Sequence, residues 1–213
     1  MFPRPRSAAD AAAIRDAKVM LRKAVQRRRA VRPDDEREAL DRARFEQLTG
    51  FLSGSAISTA AAYVSQPPEP GTLQVISWLA SQQVRTLLPV ITEPEQPDRP
   101  FGQPDWALYA GPDQLRTGRL SMIEPTTDPT GAAGLSAADL IIVPGLAADD
   151  HGLRLGRGGG WYDRALGDAE PSAVVVLLLN DDEVLEVIPA DSWDRRVDVV
   201  ITPTRVINCS RSR

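Results

Sequence analysis

An α/β protein with a largely parallel sheet is predicted by three features of the sequence. Short runs of aliphatic residues recur at 56–64, 85–91, 139–143, 173–179 and 197–201. Stretches with helical spacing lie between several of them. The runs at 139–143 and 173–179 are continuously apolar, the pattern of strands covered on both faces.

The elements follow in order from local signals. Ser7-Ala-Ala-Asp10 has the form of a capping box, and no breaker interrupts the Ala- and Arg-rich run behind it, so a long helix is predicted to about Val31. Pro33 ends it. Asp34, Asp35 and Glu36 suit a second helix N-terminus, and that helix should run through Leu40, Phe45 and Leu48 to about Leu52. Residues 56–64 read as a buried strand and 66–71 as a turn. Thr72 is the expected cap of a helix carrying Leu73, Ile76, Leu79 and Val84. Residues 85–91 form a strand that Pro89 and the exposed, proline-rich 94–104 loop should end. Short strands are expected at 105–110 and 119–123, a connector at 131–137, and a helix from Trp161 to Leu166.

With 213 residues, 42% of them hydrophobic, the chain suits one domain. It divides into a helical segment 1–52, an α/β core 55–205 and a tail 206–213 that should fray around Cys209. The net charge of −4 hides an asymmetry: residues 1–50 hold thirteen Lys/Arg against eight Asp/Glu. A lone cysteine and a lone histidine, His151, exclude an internal disulfide and a His-cluster metal site. No run is long and apolar enough to span a bilayer, and the first residues lack a signal-peptide core. A cytoplasmic, monomeric protein is expected.

The segment richest in chemistry is Arg154-Leu-Gly-Arg-Gly-Gly-Gly-Trp-Tyr-Asp-Arg164. Glycines let successive N–H groups converge on an anion, and arginines add charged forks, so the segment reads as a phosphate-binding loop. A glycine-rich surface turn is the competing reading of the glycines alone. A dinucleotide fingerprint is excluded because a polar segment separates the loop from the strand at 139–143. A Walker loop is excluded because the lysines, Lys18 and Lys23, lie far upstream.

Asp139-Leu-Ile-Ile-Val-Pro-Gly145, then Asp149-Asp-His-Gly152, then the glycine loop together resemble the signature of the 5-formyltetrahydrofolate cyclo-ligase family. Lys18-Val-Met-Leu-Arg22, Tyr63-Val-Ser65, Glu69-Pro-Gly-Thr72, Glu124-Pro125 and Asp194-Arg-Arg-Val-Asp198 stand in the family's order. The resemblance departs at Ala148, Trp161 and Trp193, where the family more often has phenylalanine, tyrosine and histidine. It implies a three-layer α/β/α fold and ATP-dependent closure of 5-formyltetrahydrofolate to 5,10-methenyltetrahydrofolate, with ADP and phosphate released.

The same resemblance assigns roles. ATP is held by Lys18, Arg22, Arg154, Leu155, Gly156, Arg157, Gly158, Gly159, Gly160, Trp161 and Tyr162. The folate is held by Val64, Glu69 and the 157–161 segment, whose members are Arg157, Gly158, Gly159, Gly160 and Trp161. Arg157 and Tyr162 are the catalytic candidates, and Asp163 with Asp194 the Mg²⁺ side. Read without it, Lys18 and Arg22 are a same-face pair on a basic helix, more often surface than site. Two rival functions remain: nucleic-acid binding through Arg27, Arg28, Arg29 and Arg32, and ATP-dependent transfer to another acceptor on the same fold.

Overall fold

A computed structural model describes residues 7–94, 101–191 and 194–209. The chain begins with α1 (Ala8–Ala30), where the Ser7 hydroxyl accepts a hydrogen bond from the Asp10 N–H at 3.1 Å. Its buried positions are Lys18, Val25 and Arg29, so two cations stand where an amphipathic helix normally places apolar residues. In α2 (Asp34–Leu52) the buried stripe is Arg44, Leu48 and Leu52, and three carboxylates occupy the first turn.

Next come β1 (Thr59–Ala61), α3 (Leu73–Ser81), β2 (Arg85–Ile91), β3 (Pro104–Leu108), β4 (Leu115–Thr117) and β5 (Ile123–Pro125). They are followed by β6 (Leu140–Val143), β7 (Ala147–Ala148), β8 (Arg154–Leu155), α4 (Trp161–Ala165), β9 (Val174–Leu178), β10 (Val199–Ile201) and β11 (Val206–Asn208). Seven strands form one sheet in the order β11-β10-β9-β6-β1-β2-β3. The five inner strands are parallel, and β3 and β11 close the edges antiparallel.

Strand alternation divides the core between two faces. Leu140 and Ile142 pack with Leu48 of α2 and Val75, Ile76 and Leu79 of α3. Ile141 and Val143 pack on the other side with Trp161 and Ala165 of α4 and with Leu135. The predicted α/β class and three-layer arrangement are what the structure has. A third cluster joins Val25 of α1 to Leu146, Ala147, Leu153 and Leu155, seating the first helix on the β7–β8 hairpin.

Several local expectations are corrected. The 56–64 run contributes only the three residues of β1 to the ladder; residues 62–64 behind it are buried loop, and Ala56 and Ser58 ahead of it are exposed. Pro89 does not end its strand: it stands opposite Trp106, past Leu87, the last β2 residue registered with β1. There the missing N–H costs no ladder bond, and the Trp106 carbonyl instead accepts from the Thr130 N–H at 2.7 Å. The run 119–123 begins as a 3₁₀ turn, Arg119–Ser121, with the strand starting at Ile123. A 3₁₀ helix, Ala132–Ala137, takes the place of the connector.

Thr72 makes no capping bond. Its hydroxyl donates to the Tyr63 carbonyl and accepts from the Ser65 N–H at 2.9 Å. The tail does not fray as a whole, because Val206–Asn208 pairs with β10 and the Cys209 N–H donates to the Asp198 carbonyl at 2.8 Å. Burial, with Asp149 and Asp198 nearby, pushes the Cys209 thiol up to about 11. Much of the expected 94–104 loop and the position Trp193 lie outside the described residues.

Candidate active site

In an open parallel sheet, ligands bind beyond the carboxyl ends of the strands where the strand order reverses. Here the chain passes from β1 to β2 on one side, while β6 lies on the other side of β1, so the crevice opens between β1 and β6. The loops leaving those two strands carry Glu69 and the glycine loop respectively. They meet: Arg157 Nη2 lies 2.9 Å from Glu69 Oε1, and the second Glu69 oxygen accepts from the Gln66 N–H at 2.9 Å.

The glycine loop is open to solvent at Arg157 and Gly158. Among the described residues, the main-chain bonds outside helices and strands include none donated by the N–H groups of residues 156–160. Gly158 has φ +104°, a conformation that residues with a Cβ resist, and a Cβ added there would stand 3.3 Å from Arg22 Cζ. At Gly159 the ring of Phe101 fills the space that a side chain would need.

The loop separates two cavities. One, of about 270 Å³, is walled mainly by apolar groups, Pro89, Ile91, Phe101, Leu120, Met122 and Tyr162 among them, with Glu69 and Arg157 at its polar side. The other, of about 590 Å³, is lined by Arg15, Lys18, Arg22, Arg154, Arg164 and three aspartates. Arg154, Gly156, Gly158, Gly160 and Asp163 border both.

Ion pairs order the basic cavity. Lys18 Nζ donates to Asp191 Oδ2 at 2.8 Å and to Asp194 Oδ2 at 2.6 Å. Arg22 Nε donates to the Gly156 carbonyl at 2.8 Å, tying α1 to the loop. Buried Arg154 donates to Asp163 Oδ1 at 2.8 Å and to the Pro144 carbonyl at 3.0 Å. Asp163 and Asp194 therefore line one cavity, each already holding a cation. Among the described residues no group of three acidic, His or Cys side chains could hold a metal alone.

A model of the 5-formyltetrahydrofolate cyclo-ligase family matches residues 14–203. The chain belongs to that family. A 5-formyltetrahydrofolate cyclo-ligase of Mycolicibacterium smegmatis is 38% identical over 175 residues, covering 80% of this chain and 87% of its own. One from Escherichia coli is 32% identical over 184 residues, covering 85% and 97%. The solved structure of Aquifex aeolicus 5,10-methenyltetrahydrofolate synthetase superposes with a TM-score of 0.75 at 26% identity, over 92% of this chain and 94% of that one. This is an enzyme of the cyclo-ligase family, with that family's fold.

Within this cyclo-ligase fold, Lys18, Arg22 and Arg154 gather with the glycines around the basic cavity, and Glu69 with Arg157 at the apolar one. Leu155 borders the basic cavity but is otherwise buried against Val25. Val64 is the exception: it lines neither cavity and packs with the α2–α3 core, while its neighbour Tyr63 takes the cavity wall. Trp161 is not an open stacking surface, because only 5% of it is exposed and its ring lies 5.2 Å from that of Trp106. Tyr162 packs 4.8 Å from Trp161, and burial raises its phenol well above the usual range.

Sequence reasoning missed Asp191, Arg15, Leu120 and Met122, and it named Arg164 only as part of the glycine-loop motif. Asp191 had a signal, standing three residues before Asp194. Arg15 had one too, standing three residues before Lys18 and seven before Arg22 on the same helix, whereas Leu120 and Met122 come from a distant segment with no local pattern. The nucleic-acid footprint loses most of its charge to partners: Arg29 to Glu183, Arg32 to Glu36 and Asp182, and Arg28 to Asp182. No helix among the described residues is long and apolar enough to cross a membrane.

Proposed function

We propose that this chain closes 5-formyltetrahydrofolate to 5,10-methenyltetrahydrofolate at the expense of ATP, with Mg²⁺, releasing ADP and phosphate. The observation that carries the reading is the shared wall: one glycine loop borders both an apolar cavity with a carboxylate at its side and a basic cavity. The apolar cavity suits a flat heteroaromatic ring, and the basic one a triphosphate.

The formamide oxygen is a poor leaving group. Moving the terminal phosphoryl group onto it leaves ADP and gives an iminium phosphate; the N10 amine then bonds to the activated carbon and gives up its proton to solvent, and phosphate departs with the electrons of the C–O bond. Such transfer depends chiefly on positioning and on stabilising charge. Glu69 accepts from pterin N–H groups and orients the ring. Arg157, half-exposed at the polar side of the apolar cavity, stabilises the moving phosphoryl oxygens, while Lys18, Arg22, Arg154 and the amides of Gly156 to Gly160 hold the rest of the nucleotide.

Tyr162 forms a wall rather than a base, since its proton is held far above neutral pH. Trp161 fixes the loop from within the core. Asp163 and Asp194 fit a Mg²⁺ ion carried in on phosphates, which needs only one or two protein carboxylates and supplies charge neutralisation. A cytoplasmic setting belongs to the same proposal, supported by the single, half-buried cysteine.

The test mixes purified protein with Mg-ATP and 5-formyltetrahydrofolate and follows methenyl absorbance. Signal dependent on both substrates is expected. ATP turnover with another acceptor and none with the folate rejects the reading in favour of a different transferase on this frame.

A further inference from the structure

The Glu69 loop is anchored at its far end by a residue outside the site. The Gly71 N–H donates to Asp41 Oδ1 of α2 at 2.8 Å, and a Cβ on Gly71 would come within 2.5 Å of Asp41 Oδ2, so the fit has no slack. Asp41 is paired with Arg44, one turn on. Arg44 is 3% exposed, and its Nη1 donates to Asn180 Oδ1 at 2.7 Å at the carboxyl end of β9.

The far side of the crevice is referred to the same point. Asn180 Nδ2 donates to Glu183 Oε1 at 2.7 Å, and Glu183 is held by Arg29 through two bonds of 2.7 Å. Arg29 Nη2 also donates to the Gly145 carbonyl at 2.9 Å, and Gly145 lines the apolar cavity. One largely buried chain of hydrogen bonds, carried by Asp41, Arg44, Asn180, Glu183 and Arg29, thus runs from the Glu69 loop to the loop after β6.

We infer that Asp41 and Arg44 are positioning residues for the folate side of the reaction, acting through Gly71 to hold Glu69 at its distance from the glycine loop. The inference rests on the proposed function for its kinetic consequence. Its structural consequence is independent of it. Neither residue borders the basic cavity, so nucleotide binding has no share in the effect.

The mechanism is geometric. Glu69 sits two residues before Gly71; the turn is closed on itself by the Gln66 exchange and by the Ser65–Thr72 pair, and beyond it Gln66 meets the Ser121 carbonyl and Glu69 meets Arg157, so Asp41 is the contact that ties it to α2. Without the α2 anchor the turn keeps its shape but loses its place, and a misplaced positioning group weakens binding of the ring it orients. Asp41 is partly exposed, with 32% of its side chain accessible, but its replacement also leaves the buried Arg44 guanidinium without a carboxylate, so urea unfolding of each variant is read beside the kinetics to separate lost stability from a lost anchor.

The experiment compares wild type, Asp41→Ala, Asp41→Asn and Arg44→Lys. Expected for Asp41→Ala is a rise of about tenfold in KM for 5-formyltetrahydrofolate, with KM for ATP within about twofold, as loss of one charge-assisted anchor allows. Asp41→Asn keeps an acceptor for Gly71 and recovers part of the loss. Arg44→Lys keeps the charge without the fork and behaves like Asp41→Ala.

Amide hydrogen exchange supplies the second readout: peptides covering 65–72 exchange faster in Asp41→Ala, while those covering β2 do not. Equal rises in both KM values, or unaltered exchange over 65–72, overturn the inference. A wild type without cyclo-ligase activity overturns the proposed function instead and leaves the exchange comparison as the test of the anchor.

Discussion

At the scale of single residues, the site is built from charges whose partners decide what each can do. Lys18 and Arg22 are four apart on α1, and the sequence placed them on one face. It did not reveal that Lys18 would be buried between two aspartates, because Asp191 and Asp194 are brought to it from the other end of the chain. Arg157 differs from Arg154 in the same way. Arg154 is buried and bonded into the frame, whereas Arg157 is 55% exposed with one partner at 2.9 Å. Arg157→Ala is therefore expected to lower kcat/KM by about a hundredfold or more, as loss of a transition-state donor does. Its thermal midpoint should stay within about a degree of wild type, because an exposed pair contributes little to stability. A large fall in midpoint with activity retained makes Arg157 a structural residue.

At the scale of elements, the chain shows which signals travel through sequence. Helices α1 and α2 were readable at both ends, because a serine cap, a proline stop and acidic first turns act over one turn of chain. The continuous apolar strands β6 and β9 were readable because burial on both faces leaves no polar position. Pro89 misled, since a proline ends a strand only where its N–H is wanted, and that depends on where β1 stops. β11 was missed for a related reason: three residues without a strong pattern become a strand because β10 offers an open edge. Deleting residues 206–213 strips that edge and should lower the thermal midpoint by about 5 °C or more, given roughly 2–4 °C per kcal/mol for a chain of this size. A midpoint unchanged in differential scanning calorimetry relegates β11 to an ornament.

At the scale of the whole molecule, α1 is fastened to the sheet by charge as much as by apolar contact. Its inner face presents Lys18, Val25 and Arg29, and the Arg29–Glu183 pair is 3% and 1% exposed. Removing one member of a buried pair leaves the other charged and unsolvated, so Arg29→Met should cost about 3–5 kcal/mol in urea unfolding. A cost below about 1 kcal/mol in that titration means that water reaches Glu183. Both cavities depend on this fastening, because α1 supplies one wall of the basic cavity and Arg29 steadies Gly145 in the other.

The sequence by itself determined the class of fold, most of the helix and strand positions, and which segment forms the glycine- and arginine-rich loop at the crevice, because each is written in local periodicity or in glycines and arginines crowded into one stretch. Only the tertiary structure decided that the loop stands between two cavities, that Trp161 turns inward, that Val64 belongs to the core, and that Glu69 meets Arg157. These outcomes follow from strand order: β6 lies beside β1 on the side away from β2, and that crossover, invisible to any local window, puts residues 88 positions apart within hydrogen-bonding distance.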